Sequence, residues 1–110
     1  MNFGLRHDQI DSMHSVFRRH PGVDEVVIYG SRAMGRHREG SDIDLVLKGN
    51  ELTFQDMLRI SGQLDDLLLP WNIDLSLYRS LRNDDLLDHI GRVGQVFYRR
   101  LEPDGSVAGL

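Results

Sequence analysis

Asp42 and Asp44 stand two residues apart in Ser41-Asp42-Ile43-Asp44-Leu45, and a third aspartate, Asp74, lies in Asn72-Ile73-Asp74-Leu75-Ser76. In an extended chain side chains alternate between faces. Asp42 and Asp44 then share one face, while Ile43, Leu45 and Leu47 take the other. Carboxylates held side by side repel each other unless a cation lies between them, and hard oxygen ligands suit Mg²⁺ or Mn²⁺. Around Asp74, the aliphatic Ile73, Leu75 and Leu77 claim the core side, which leaves Asp74 and Ser76 on the opposite face. If that strand lies beside the Asp42–Asp44 strand, the third carboxylate joins the pair. Aspartate is disfavoured in strands, so three of them ask for a reason. Taken singly, each is also what a solvated strand face presents.

Gly30 and Ser31 follow the apolar run Val26-Val27-Ile28-Tyr29. A glycine at such a point lets another group approach the backbone closely. A serine at a strand-to-helix turn offers a hydroxyl and free backbone N–H groups, which suit phosphate oxygens. An isolated Gly-Ser is more commonly a plain turn and cap. Arg32 adds a positive charge beside them, either toward phosphate or into solvent. Arg36, His37 and Arg38 read as a solvated basic loop. His7, His14, His20 and His89 show no mutual ligand spacing and are read as structural or exposed. Trp71 is expected in the core or an interface. Arg79 and Arg82, after the third strand, receive no role.

These groups need a scaffold. Ile10, Met13, Val16 and Phe17 recur at helical spacing over residues 7–20, and Pro21-Gly22 ends that helix. A strand over Val23–Gly30, a glycine-punctuated loop to Gly40 with one helical turn, and a second strand over Ser41–Gly49 follow. Thr53 caps a third segment, with Asp56 completing a capping box. There Phe54, Met57, Leu58, Leu64, Leu67 and Leu68 are expected to line one face, until Pro70. Asn72–Tyr78 alternates as a third strand. Asn83 caps a last helix with Leu86, Leu87 and Ile90 inward, Gly94 ends it, and Gln95–Arg100 reads as a fourth strand. The predicted fold is α/β (α+β): a small mixed sheet with helices packed on one face, in one domain over residues 1–101, with a flexible tail over 102–110.

The composition agrees with a nucleotide enzyme more than with a nucleic-acid binder. Thirteen basic residues against 17 acidic give a formal charge of −4 over 110 residues, whereas proteins that coat phosphate backbones are usually basic. Cysteine is absent, which excludes disulfides and thiolate chemistry. No run reaches the roughly 18 apolar residues that span a membrane. Met1–Ser12 lacks a signal-peptide stretch, so the chain is expected in the cytoplasm.

The combination of Gly-Ser, ten residues, Asp-x-Asp and a later strand aspartate resembles the signature of the DNA polymerase β-like nucleotidyltransferases. Within them it is similar to the minimal nucleotidyltransferases, including the MntA-like antitoxins of HEPN–MNT toxin–antitoxin pairs. The resemblance covers most of the chain, from the first helix and Pro21-Gly22-Val23 through Gly30–Gly35, Ser41–Leu45 and Asn72–Tyr78 to Ile90–Tyr98. It departs where Arg6 or His7 stands in place of a capping serine. It implies a polymerase β-like palm core in which Asp42, Asp44 and Asp74 are catalytic and hold two Mg²⁺ ions, with Mn²⁺ an alternative. Such a pair of ions stabilises both the attacking and the leaving oxygen. Asp74 would also take the proton of the acceptor hydroxyl, and Gly30, Ser31 and Arg32 would bind the leaving phosphates of ATP.

The same resemblance implies the acceptor. Larger relatives carry further domains that hold theirs, whereas here the catalytic module takes up nearly the whole sequence. The acceptor is then expected to be small, or to be a surface of another protein. In the toxin–antitoxin pairs it is a tyrosine of the partner HEPN ribonuclease, which AMP transfer silences. That reading makes the chain an antitoxin in a hetero-oligomer, with no membrane and no direct nucleic-acid binding. Its rivals are transfer to a small molecule such as an antibiotic, and a non-catalytic docking antitoxin.

Overall fold

A computed structural model describes residues 2–101; the tail predicted over 102–110 lies outside the described residues. The elements run α1 (His7–Arg18), β1 (Glu25–Tyr29), α2 (Gly30–Ala33), β2 (Ile43–Lys48), α3 (Phe54–Asp65), β3 (Ile73–Leu77), a 3₁₀ turn (Tyr78–Ser80), α4 (Asp84–Val93) and β4 (Gln95–Arg99). The four strands form one sheet in the order β3-β2-β1-β4. β1 is antiparallel to both neighbours, while β2 and β3 are parallel. A parallel pair needs a long crossover, and α3 supplies it.

The helix starts follow local chemistry. Thr53 and Asp56 cap each other reciprocally, with the Asp56 N–H donating to Thr53 Oγ1 at 3.1 Å and the Thr53 N–H to Asp56 Oδ2 at 3.0 Å. Asn83 Oδ1 accepts from the Leu86 N–H at 3.0 Å. α1, which lacks a serine at its start, uses Gln9 instead, whose Oε1 accepts from the Arg6 N–H at 2.8 Å.

The main core lies between one face of the sheet and α1 and α3. Met13, Val16 and Phe17 meet Val26 and Ile28 of β1, Ile43, Leu45 and Leu47 of β2, and Ile60 and Leu64 of α3. The inward face of α3 differs from the predicted one, since Phe54, Leu58 and Leu68 are exposed. At about 100° per residue, Leu58 falls on roughly the opposite side of the helix from Ile60, and Phe54 about a third of a turn away. Helix α3 also ends at Asp65, before Pro70, and Leu68 takes a positive φ of 56° beyond it.

The expectation of helices on one face describes α1 and α3 but not α4. Strand alternation sends Val27 and Tyr29 to the second face. There, with Val46, they pack against Ile90 of α4, flanked by Leu81 and Leu86. The second face has its own apolar set, so it too needs a cover.

Candidate active site

Strand register brings two of the three aspartates together. Tyr29 of β1 pairs with Asp44 of β2, which pairs with Asp74 of β3, so the three side chains form one row on the α4 face. The next row is Val27, Val46 and Ser76. Asp42 stands one residue ahead of β2 and is exposed.

Asp44 is the electrostatic centre of this group. Burial pushes its pKa up, and the Asp74 and Asp42 carboxylates push it further. Both raising effects disfavour the ionised form. A divalent cation would offset them, and an all-oxygen donor set suits Mg²⁺ or Mn²⁺. Among the described residues, the acidic and imidazole side chains do not close into a three-ligand cluster as they stand.

Tyr29 forms the floor beside the aspartates. Its ring is buried. Burial raises its pKa, the Asp74 and Asp44 charges add to the rise, and a hydrogen bond with the Ser76 side chain opposes it. Sequence alone placed Tyr29 only as the end of an apolar run; the register turns it toward the carboxylates.

Gly30 makes the turn out of β1 with φ +75°, and a Cβ there would collide with Asp44 Oδ2. The glycine thus lets the turn lie directly against the central aspartate. Ser31, half-buried, follows in the short α2. Arg32 goes elsewhere. It is 2% exposed, its Nε and Nη2 donate to Ser41 O at 3.1 and 2.8 Å, and its Nη1 donates to Phe3 O at 2.8 Å. The guanidinium also lies 4.9 Å from the centroid of the Trp71 ring. Arg32 is therefore a strut that pins the residue just before Asp42. Of its two sequence expectations, exposure to solvent is not met.

Arg79 and Arg82 are also bound to backbone. Arg79 donates to Asn50 O at 2.7 Å and to Leu52 O, and Arg82 donates to Arg79 O and Leu81 O. His14 Nε2 lies 2.6 Å from Phe97 O, and His20 Nε2 lies 2.8 Å from Gln63 Oε1. His89 ties α4 to the turn beside the aspartates, because its Nε2 accepts from the Gly30 N–H at 3.3 Å. The signal was available: His89 falls three residues after Leu86 and beside Ile90, on the inward face of α4, where a polar side chain needs a partner. A groove of about 550 Å³ between α1 and β4, lined by His14, Arg18, Phe97 and Arg99 among others, shares no residue with this site.

Residues 11–103 match the family described as "Polymerase beta, Nucleotidyltransferase". No curated protein matches. Among solved structures, the chain is similar to one in the crystal structure of a toxin–antitoxin with AMP-PNP, at 20% identity and a TM-score of 0.67 over 87% of this chain and 75% of that one. It is also similar to one in a tri-AMPylated Shewanella oneidensis HEPN toxin in complex with MNT antitoxin, at 16% identity and a TM-score of 0.64 over 87% and 74%. A third likeness is to the toxin–antitoxin MntA-HepT, at 16% identity and a TM-score of 0.63 over 86% and 74%. At these identities the likeness is one of fold. Among the described residues, no helix is long and apolar enough to cross a membrane.

Proposed function

The chain belongs to the polymerase β nucleotidyltransferase family, and on that premise we propose that it transfers AMP from ATP to a hydroxyl of a partner HEPN-type toxin, acting as an antitoxin. The observation that carries this reading is the register that sets Asp74 beside Asp44, with the Gly30 turn lying on the same carboxylate. Asp42, Asp44 and Asp74 would hold two Mg²⁺ ions, which supply charge neutralisation for the triphosphate when bound. Asp74, exposed on an edge strand, would accept the proton of an incoming hydroxyl. The acceptor oxygen bonds to the α-phosphorus, the bond to the β-phosphate oxygen breaks, and pyrophosphate leaves past Gly30 and Ser31. The partner's acceptor is a tyrosine, whose phenol stands clear of its backbone. An AMPylated HEPN toxin in complex with MNT antitoxin among the similar structures supports a protein acceptor. We place the reaction in the cytoplasm.

Incubation with ATP, Mg²⁺ and the HEPN-type partner tests the reading by intact mass. Each AMP adds about 329 Da to the acceptor protein, and a Tyr→Phe partner gains nothing. A partner that is neutralised without any gain in mass, even by an Asp74→Asn chain, makes the protein a docking antitoxin. Modification of a small hydroxyl compound with no protein acceptor makes it a small-molecule transferase.

A further inference from the structure

We propose that His89 is a positioning residue for the phosphate-binding turn, acting through the Gly30 backbone; this rests on the transferase reading above. The pairing of β1 with β2 ends at Tyr29–Asp44, so strand pairing gives the Gly30 N–H no partner. The first N–H groups of a helix have no intrahelical acceptor either. A half-buried donor at that point must be satisfied. His89 Nε2, unprotonated, accepts from it at 3.3 Å. The ring is held for the task, standing edge-on to Tyr29 with centroids 6.2 Å apart at 80°.

The bond fixes the one residue of the turn whose backbone lies in the left-handed region, Gly30 at φ +75°. It thereby sets the direction of the next residue, Ser31, whose N–H and hydroxyl remain to meet a phosphate oxygen. Three distant segments share this arrangement: the end of β1 provides the turn, β2 provides the Asp44 carboxylate against which Gly30 lies, and α4 provides the acceptor that holds it. His89 is thus the part that α4 contributes to the site, without touching substrate.

The test compares His89→Phe, which keeps a ring against Tyr29 but has no acceptor, with His89→Gln, whose amide oxygen restores one. ATP is the probe, read as KM and kcat and as the Kd of a non-hydrolysable ATP analogue by calorimetry. Hydrogen exchange of the Gly30 amide by NMR is followed in parallel. One neutral hydrogen bond lost corresponds to a weakening of up to about tenfold. H89F should raise KM and Kd by roughly that factor, leave kcat within about threefold, and speed Gly30 exchange; H89Q should recover most of each. His89→Met serves the same comparison if the Phe variant does not fold. Unchanged ATP affinity in H89F with an opened Gly30 amide overturns the proposal and leaves the transferase reading standing. So does an unchanged Gly30 exchange rate, or equal impairment in H89F and H89Q, which would make the ring's packing the cause. A parent protein that binds no ATP overturns the transferase reading itself.

Discussion

Replacing Arg32 with methionine separates a strut from a phosphate ligand. The change keeps an unbranched apolar stem and removes the bonds to Ser41 O and Phe3 O together with the contact over Trp71. The buried Phe3 carbonyl and the half-buried Ser41 carbonyl lose their donors, at about 1–3 kcal/mol each, and the ring contact contributes about 0.5–2 kcal/mol more. Against this, a guanidinium no longer has to leave water, which returns several kcal/mol. The net expectation is a destabilisation of about 2–4 kcal/mol, or roughly 10–20 °C in Tm for a domain of this size. Because Ser41 precedes Asp42 directly, a loosened loop should also misplace that carboxylate and lower kcat by about tenfold to a hundredfold. KM for ATP, measured well below the new Tm, should stay within about threefold. Urea unfolding and steady-state kinetics on the same preparation decide the matter. A variant that keeps the parent Tm but raises KM for ATP tenfold would show that Arg32 contacts phosphate, and the strut argument would fail.

Asp44→Asn should abolish transfer yet raise Tm in chelator at neutral pH. The folded pKa of Asp44 lies above its ordinary value, so the contribution of this group to stability is fully present below its unfolded pKa and is lost as pH rises through the folded one. Mg²⁺ should raise the Tm of the parent and leave that of the variant nearly unmoved; equal shifts would place the cation elsewhere. Gly30→Val, whose Cβ meets Asp44 Oδ2, should lose nucleotide use altogether, and parent-like use of ATP would show the turn lies away from the triphosphate. Ser31→Ala should weaken ATP binding by at most about 1.5–3 kcal/mol, one charge-assisted hydrogen bond, as measured by calorimetry. In α3, Ile60→Ala should cost about 2–5 kcal/mol in urea unfolding, while Leu58→Ala, on the exposed side, should stay within about 0.5 kcal/mol.

Period-two alternation made the Asp44–Asp74 row readable, because the aliphatic residues between the aspartates declare which way the core lies. The caps at Thr53 and Asn83 were readable for a similar reason, since capping is a matter of a few adjacent residues. What escaped depends on contacts far apart in the chain. The strut from Arg32 to Phe3 joins residues whose nearness nothing in either segment announces. The unbroken run Val26-Val27-Ile28-Tyr29 is apolar on both sides of the strand. That is the mark of a strand covered on both faces, and it accounts for α4 lying opposite α1 and α3. The α3 stripe was misassigned because its leucines are too many for one face, and only packing against the sheet selects Ile60 and Leu64.

The order β3-β2-β1-β4 has a consequence for how activity arises during folding. Residues 30, 44, 74 and 89 come from four separate elements, and each meets its neighbour only after a loop of a dozen residues or more has closed. Such distant pairings form slowly compared with helices. No single strand pair holds a smaller version of the site: β1 with β2 lacks Asp74, and the β2–α3–β3 unit lacks the Gly30 turn. The carboxylates and the Gly30 turn therefore come together only when β1, β2 and β3 have all paired. Recovery of transfer on refolding should accordingly follow the slowest strand pairing and lag behind the helical signal.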